Sequence, residues 1–309
     1  MPQQRTLSRA AFTRLSVGLA ATGLVAGCAE ETATNATGSA GNGGGDGKTV
    51  SMAFIPSYTD GLSLAYLWKA VLEGEGNTVE FTELTEAAPL FAALAGGDVD
   101  VYPSAWPVIT HAAYMAEYGD DLEDLGAFFE GGTNTFSVPE YTDVNSIDEL
   151  IGQADRFGGR IVGIEAGAGL TGVVQNDVIP AYGLDAEYEL VNSSTVAMLA
   201  ELQSAIDAQQ DILVTLWRPY WAHAQFPVKD LADPKGAFGP TETMNTMARK
   251  GFSEDMPEIA AMMEKLHLTD EQYSDLEDTL VNQYGEGRYD EGAQAWLDAN
   301  PDFLATLTA

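Results

Sequence analysis

Cysteine and histidine are scarce in this chain. Among its 309 residues only Cys28 carries a thiol, which excludes disulfide bonds within the chain and zinc sites built from several thiolates. The three histidines, His111, His223 and His267, match no metal-binding spacing, and no nucleophile–base motif stands beside them. We therefore expect neither a bound metal nor a cofactor, and no catalytic residue.

Basic residues are few as well. The chain has 14 Lys and Arg against 47 Asp and Glu, a formal net charge of −33. Three of the basic residues, Arg5, Arg9 and Arg14, lie in the first 27 positions, so 11 face 47 acidic ones in the remainder. A surface of this charge repels nucleic acid and anionic lipid. We therefore exclude nucleic acid as a partner.

Long hydrophobic runs are missing too. The apolar stretch 15–26 is shorter than the roughly 20 residues of a membrane span. The arginines before it and the small residues at its end predict a secretory signal peptide over 1–27. Cys28 directly after Val25-Ala-Gly resembles the lipobox of bacterial lipoproteins. This resemblance implies a lipid on Cys28, with several acyl chains that anchor the protein stably to the outer face of the cytoplasmic membrane, in a bacterial cell envelope.

Residues 28–48 consist largely of Ala, Thr, Asn, Ser and Gly and include three consecutive glycines. Such a segment buries too little apolar area to order itself, so it is predicted to be a flexible tether.

From residue 49 onward, strand-like and helix-like patterns alternate. The predicted strands are 50–55, 79–84, 99–102, 160–165, 188–191, 212–216 and 245–248. The predicted helices include 86–95, 170–182, 195–209 and 289–299, and capping-box patterns begin at Ser146 and Thr269. Regular alternation favours an α/β fold with largely parallel sheets.

A glycine-rich turn follows the strand at 160–165. Gly167, Gly169 and Gly172 match the dinucleotide fingerprint, and Glu187 and Glu189 lie at the distance of a ribose-binding acid. One interpretation is an NAD-dependent oxidoreductase. However, the turn lies in the middle of an exported chain. A cradle of free amides for a small carboxylate at a helix N-terminus explains the glycines equally well.

Aromatic residues stand at predicted strand ends. Trp106 and Trp217 follow the third and sixth predicted strands, and Tyr58 follows the first. Ligands of open α/β sheets bind at the carboxyl ends of strands, where such rings can face a cation. By contrast, Trp68 and Trp296 lie on apolar helix stripes and are predicted to be core.

Several of these segments together resemble the glycine betaine/proline betaine-binding lipoproteins of ABC importers. The matching stretches are 97–106, 110–111, 144–150, 163–170, 215–221, 233–236 and 245–251. The resemblance implies a periplasmic-binding-protein fold of type II, with two α/β lobes and a ligand cleft between them. We expect lobe limits of 49–138 plus 240–309 for the first lobe and 139–239 for the second.

The resemblance also implies an aromatic box for a quaternary ammonium group. Trp106 and Trp217 match box positions, and Tyr58 is the nearest aromatic where the family has a third tryptophan. The amides of Gly169 and Leu170, with His111, correspond to the carboxylate receptor. A monomer that delivers its ligand to an ABC permease is expected. A receptor for choline, carnitine or ectoine stays open as an alternative.

Overall fold

The computed structural model describes residues 47–308. The predicted signal peptide, Cys28 and almost all of the predicted tether lie outside these residues. No helix among the described residues combines the length and the apolar character that crossing a membrane requires.

Nine strands lie within residues 47–308. They are β1 Thr49–Phe54, β2 Thr78–Glu83, β3 Val101–Ala105, β4 Leu122–Pro139, β5 Arg160–Val162, β6 Glu189–Val191, β7 Val214–Arg218, β8 Val228–Asp230 and β9 Glu242–Arg249. Their order is β2-β1-β3-β9-β4-β7-β5-β6, with β8 beside β4. β1 pairs in parallel with β2 and β3, and β5 with β6 and β7. The expected largely parallel pairing is wrong for β4 and β9, which run antiparallel to their neighbours.

The strand β4 belongs to both halves of the molecule. From Leu122 to Gly132 it pairs with β9, and from Thr133 onward it pairs with β7 and then β8. We call the part built on β2, β1, β3, β9 and the first half of β4 lobe 1, and the part built on the remaining strands lobe 2. The α/β fold with two lobes is thus as expected. The pairing changes before the predicted boundary at residue 138, and the lobe limits stay a prediction.

Twelve α-helical segments surround the strands in the described part of the chain. They are α1 Thr59–Gly74, α2 Ala87–Gly96, α3 Ala112–Tyr118, α4 Gly169–Val173, α5 Ile179–Tyr182, α6 Thr195–Asp207, α7 Ala222–Gln225, α8 Phe252–Asp255, α9 Pro257–Met263, α10 Asp270–Asp278, α11 Tyr289–Ala299 and α12 Pro301–Thr308. A π-helical segment, Val174–Val178, joins α4 and α5 into one continuous helix, and a second, Thr279–Tyr284, follows α10.

The two predicted capping boxes have different outcomes. Thr269 accepts the Gln272 amide, and the Gln272 side chain accepts the Thr269 amide, so the box at α10 is confirmed. At Ser146 the prediction is wrong: only a short 3-10 turn follows, and the Glu149 carboxylate accepts the amide of Asn145 instead.

The apolar stripes of the helices pack into the hydrophobic core, and the strand-end residues Trp106 and Trp217 pack into the same core. Trp68 is 0% exposed and Trp296 is 1% exposed, so both are core residues as predicted. Because the bodies of the strands are fixed by this packing, the loops at their carboxyl ends hold their side chains in defined positions.

Candidate functional site

One cleft contains all six residues that were predicted to bind a quaternary amine. It encloses about 370 Å³ of empty volume. Its walls are formed by Tyr58, Asp60, Tyr102, Trp106, Thr110, His111, Asn134, Ile164, Ala168, Gly169, Leu170 and Trp217. The six predicted residues Tyr58, Trp106, His111, Gly169, Leu170 and Trp217 are therefore brought together. Residues of both lobes contribute to the walls.

The strand ends explain this convergence. Tyr58 lies just after β1, Trp106 directly follows β3, and Trp217 is the penultimate residue of β7. Gly169 begins α4, which is the first helix after β5. The carboxyl ends of parallel strands meet at one edge of a sheet, and this is where α/β proteins bind ligands.

Three aromatic rings lie against one another, and two of them, Tyr58 and Trp217, line the cleft. The rings of Tyr58 and Trp217 meet edge to face, with centroids 5.8 Å apart and planes at 77°. Behind Trp217 the ring of Tyr220 is stacked at 4.0 Å, and its hydroxyl donates to the carbonyl of Ser57 at 3.3 Å. Tyr220 was not predicted as a site residue, although it lies in the quoted segment 215–221. The stacked Tyr220 ring fixes the position of the Trp217 ring.

A buried carboxylate supports the other tryptophan. The Trp106 indole Nε1–H donates to Asp60 Oδ2 at 3.1 Å, and the Ser104 hydroxyl donates to the same oxygen at 2.6 Å. Asp60 is 4% exposed, and burial raises the pKa of its carboxyl. Asp60 was not predicted from the sequence; its position two residues after Tyr58, in the first turn of α1, was the available signal.

The geometry around His111 fixes its tautomer. The backbone N–H of Trp106 donates to His111 Nδ1 at 2.9 Å, so the neutral ring carries its proton on Nε2. Burial lowers the pKa of His111 to about 3, and the imidazole is therefore uncharged at neutral pH. The ring lines the cleft as a neutral side chain with one N–H left to donate.

Gly169 has a free backbone amide and lies in tight contact with the other lobe. As the first residues of α4, Gly169 and Leu170 have no acceptor within the helix for their N–H groups. A Cβ on Gly169 would lie 2.0 Å from the backbone oxygen of Thr110 in lobe 1. Only glycine allows this approach.

The electrostatics of the cleft favour a cation. Asp60 lines it, and Glu165 of lobe 2 accepts the Tyr58 hydroxyl at 3.1 Å. No Lys or Arg occurs among the lining residues in the described part of the chain. Buried acidic groups without a basic partner lower the potential in a cleft when they are ionised, since the surrounding dielectric is low.

Gly167 of the dinucleotide-like motif and the candidate ribose-binding acid Glu187 make contacts within the protein. The carbonyl of Gly167 accepts the hydroxyl of Tyr114 at 2.6 Å. Glu187, the expected ribose-binding acid, accepts the amide of Gly152 at 2.7 Å and does not line the cleft. The turn thus contributes amides to the cleft without the acid that a ribose requires.

Comparison with known proteins gives consistent matches. A family model described as the substrate-binding domain of an ABC-type glycine betaine transport system matches residues 48–299. The glycine betaine/carnitine transport binding protein GbuC of Listeria monocytogenes is 34% identical over 148 residues. That match spans about half of each chain, 48% in both cases.

Two solved structures resemble the chain over most of its length. The glycine betaine/L-proline-binding protein ProX of Borrelia burgdorferi has a TM-score of 0.78 at 30% identity, covering 84% of this chain and 97% of its own. Lactococcal OpuAC, in a closed-liganded conformation with glycine betaine, has a TM-score of 0.77 at 30% identity. The alignment covers 85% of this chain and all of OpuAC.

Proposed function

Since this chain belongs to the family of substrate-binding domains of ABC-type glycine betaine transport systems, we propose that it captures glycine betaine or a related quaternary amine. It delivers this ligand to the permease of an ABC importer at the outer face of the cytoplasmic membrane. The observation that carries the proposal is the convergence of three aromatic rings, the Asp60 carboxyl and two free helix amides on one cleft, with Glu165 bonded to the Tyr58 hydroxyl.

The cationic head of the ligand is assigned to Tyr58, Trp106 and Trp217. Each ring face that meets a quaternary ammonium contributes roughly 0.5–2 kcal/mol, and the carboxylates of Asp60 and Glu165 behind the rings add favourable potential. A quaternary ammonium has no N–H to donate, so it loses no hydrogen bond among these rings. A primary amine would lose its water without finding acceptors on the ring faces.

The carboxylate of the ligand is assigned to the other end of the cleft. There the amides of Gly169 and Leu170 point out of the first turn of α4, and His111 Nε2–H supplies a third donor. Hydrogen bonds to a charged acceptor are the strong ones. Together with the cation contacts they support micromolar affinity, about −8 kcal/mol.

Choline is the competing ligand that the carboxylates Asp60 and Glu165 favour. It would satisfy the rings but leave the amides of Gly169 and Leu170 unpaired. Buried donors without a partner cost about 1–3 kcal/mol each, so a zwitterion is the better fit. Carnitine and ectoine carry a carboxylate as well, and only measurement separates them from the betaines.

We further propose that a lipid on Cys28 holds the protein at the membrane. The support is the sequence alone: a signal-like stretch of 27 residues followed by this cysteine and a glycine-rich tether. Labelling bacterial cells that express the protein with a radioactive fatty acid should mark the wild type and leave Cys28→Ser unmarked. Equal labelling of both would refute the anchor.

A titration of the purified protein tests the function. Tryptophan emission is followed while glycine betaine, proline betaine, choline, carnitine, ectoine and NAD are added. The proposal expects saturable micromolar binding of a betaine and none of NAD. No response to either betaine, alongside tight binding of choline or NAD, would overturn it. Trp217→Ala should weaken betaine binding at least tenfold, whereas the core variant Trp296→Ala should mainly lower stability.

A further inference from the structure

Glu165 is a buried carboxylate of lobe 2 whose partners are all hydrogen-bond donors without charge. It is 7% exposed. Its Oε1 accepts the amide of Thr195 at 2.9 Å, and its Oε2 accepts the Thr195 hydroxyl at 2.8 Å and the Tyr58 hydroxyl at 3.1 Å. Within residues 47–308 no ion pair neutralises it. No basic side chain in this part of the chain therefore competes with these donors for its oxygen atoms.

Two of the three bonds fix Glu165 within its own lobe. Thr195 is the first residue of α6, a helix of 13 residues, and its amide has no acceptor inside the helix. A carboxylate at a helix N-terminus is favoured by the helix dipole. Glu165 is thus positioned by α6, whether or not lobe 1 is near.

The third bond crosses the cleft. Tyr58 follows β1 in lobe 1, and its hydroxyl is the donor to Glu165 in lobe 2. Burial and the neighbouring Glu165 raise the pKa of the Tyr58 phenol, so it keeps its proton and stays a donor. Another bond between the lobes, from the Tyr114 hydroxyl to the Gly167 carbonyl, ends on an uncharged acceptor. A bond to a charged acceptor is roughly twice as strong as a neutral one.

The same side chain faces the proposed ligand. The Tyr58 ring is edge to face with Trp217, 5.8 Å between centroids, in the wall of the cleft. Donation of its hydroxyl proton to a carboxylate moves electron density into the ring. The ring face consequently becomes more negative towards a cation.

On the basis of the proposed function, we propose that Tyr58 and Glu165 form a latch between the lobes that sets how long the cationic ligand stays bound. Glu165 acts as a positioning residue: it holds the Tyr58 ring against the cation and ties the closed lobes together. Since the bond exists only when the lobes meet, the latch acts on ligand release and has little effect on the first encounter.

Stopped-flow tryptophan emission on the full-length protein, with glycine betaine as the probe, tests the latch. Tyr58→Phe keeps the ring and removes the hydroxyl; we expect its dissociation rate to rise about tenfold with an association rate within twofold of wild type. Glu165→Gln should raise the dissociation rate at least threefold. The double variant should dissociate no faster than Tyr58→Phe alone, because both substitutions break one bond.

Two further variants distinguish an effect of the latch on ligand release from a general effect on stability. Tyr141→Phe removes a hydroxyl bonded to the carbonyls of Ala205 and Gln210, away from the cleft, and should leave both rates unchanged. Thr195→Ala weakens the attachment of Glu165 to α6 and should lower thermal stability without matching the effect of Tyr58→Phe on release. Unchanged release in Tyr58→Phe, multiplied effects in the double variant, or an equal effect of Thr195→Ala would each overturn the latch. Wild-type protein that binds no betaine would instead refute the proposed function.

Discussion

The indole N–H of Trp106 points at the buried carboxylate of Asp60, 3.1 Å from Oδ2. The hydroxyl of Ser104 ends on the same oxygen. Both groups are donors, so they favour the ionised acid. Burial raises the pKa of this carboxyl, and the two donors oppose that rise. A tryptophan of the proposed cage is thus held by a buried acid that itself lines the cleft.

Replacement of Asp60 by Asn tests whether this acid acts on the ligand through a negative charge. Because both donors bond a single oxygen, the amide oxygen of Asn can accept them and keep Trp106 in place. We expect glycine betaine affinity to fall about tenfold, as the potential at the cage becomes less negative. Isothermal titration calorimetry measures it, with the exposed Asp120→Asn as the control of equal charge change. Equal affinities of the two variants would contradict the prediction.

Gly169→Ala should abolish closure of the cleft. The new methyl group would lie 2.0 Å from the Thr110 backbone oxygen, a contact that no side-chain rotation relieves. We expect at least a hundredfold loss of betaine affinity with little change in the stability of the ligand-free protein. Gly172→Ala is the matched control three residues along the same helix, since nothing lies within 4 Å of its Cβ position. Similar losses in both variants would show that helix propensity, and not the contact, matters.

His111 should stay uncharged throughout the physiological range. Burial lowers its pKa to about 3 from an ordinary value near 6.5. The folded state therefore binds fewer protons at this ring than the unfolded state, and its contribution to stability is present above pH 6.5 and is lost as the pH falls towards 3. NMR of the ring nitrogens should show the Nε2–H tautomer and no titration between pH 5 and 8. A titration near 6.5 in the folded protein would contradict the hydrogen bond from Trp106.

Glu277 should make the protein less stable in alkali. It is 4% exposed in α10, with Thr59 and the backbone N–H of Trp221 as donors and the acids Asp60 and Asp278 nearby. Burial, with smaller contributions from Asp60 and Asp278, raises its pKa to about 8. The folded state therefore retains a proton that the unfolded state loses above about pH 4.5, and this stabilisation disappears as the pH rises towards 8.

Urea unfolding at pH 6, 7, 8 and 9 measures this dependence. Wild-type stability should fall between pH 6 and 8 by up to about 1.4 kcal/mol per pH unit from this group. Glu277→Gln should remove that slope and be the more stable protein at pH 9, whereas the exposed Glu264→Gln should follow the wild type. A variant that keeps the wild-type slope would show that Glu277 is ionised in the folded state.

Six residues of the cleft wall could be predicted from the sequence. Tyr58, Trp106, Trp217 and Gly169 came from a local pattern, an aromatic or glycine residue at the end of a strand, and His111 and Leu170 from the family resemblance. The contacts behind those walls could not be predicted. Glu165 and Tyr58 are far apart in the chain, and only the meeting of two lobes joins them. The strand β4 was missed since Gly126 and Gly131, both at positive φ, interrupt its alternation and accompany irregular pairing with β9.

A crystal structure of the protein with glycine betaine tests the central claim most directly. We expect the trimethylammonium group among the rings of Tyr58, Trp106 and Trp217, with the carboxylate on the amides of Gly169 and Leu170 and within reach of His111 Nε2. A ligand bound in the opposite direction, or bound outside this cleft, would contradict it.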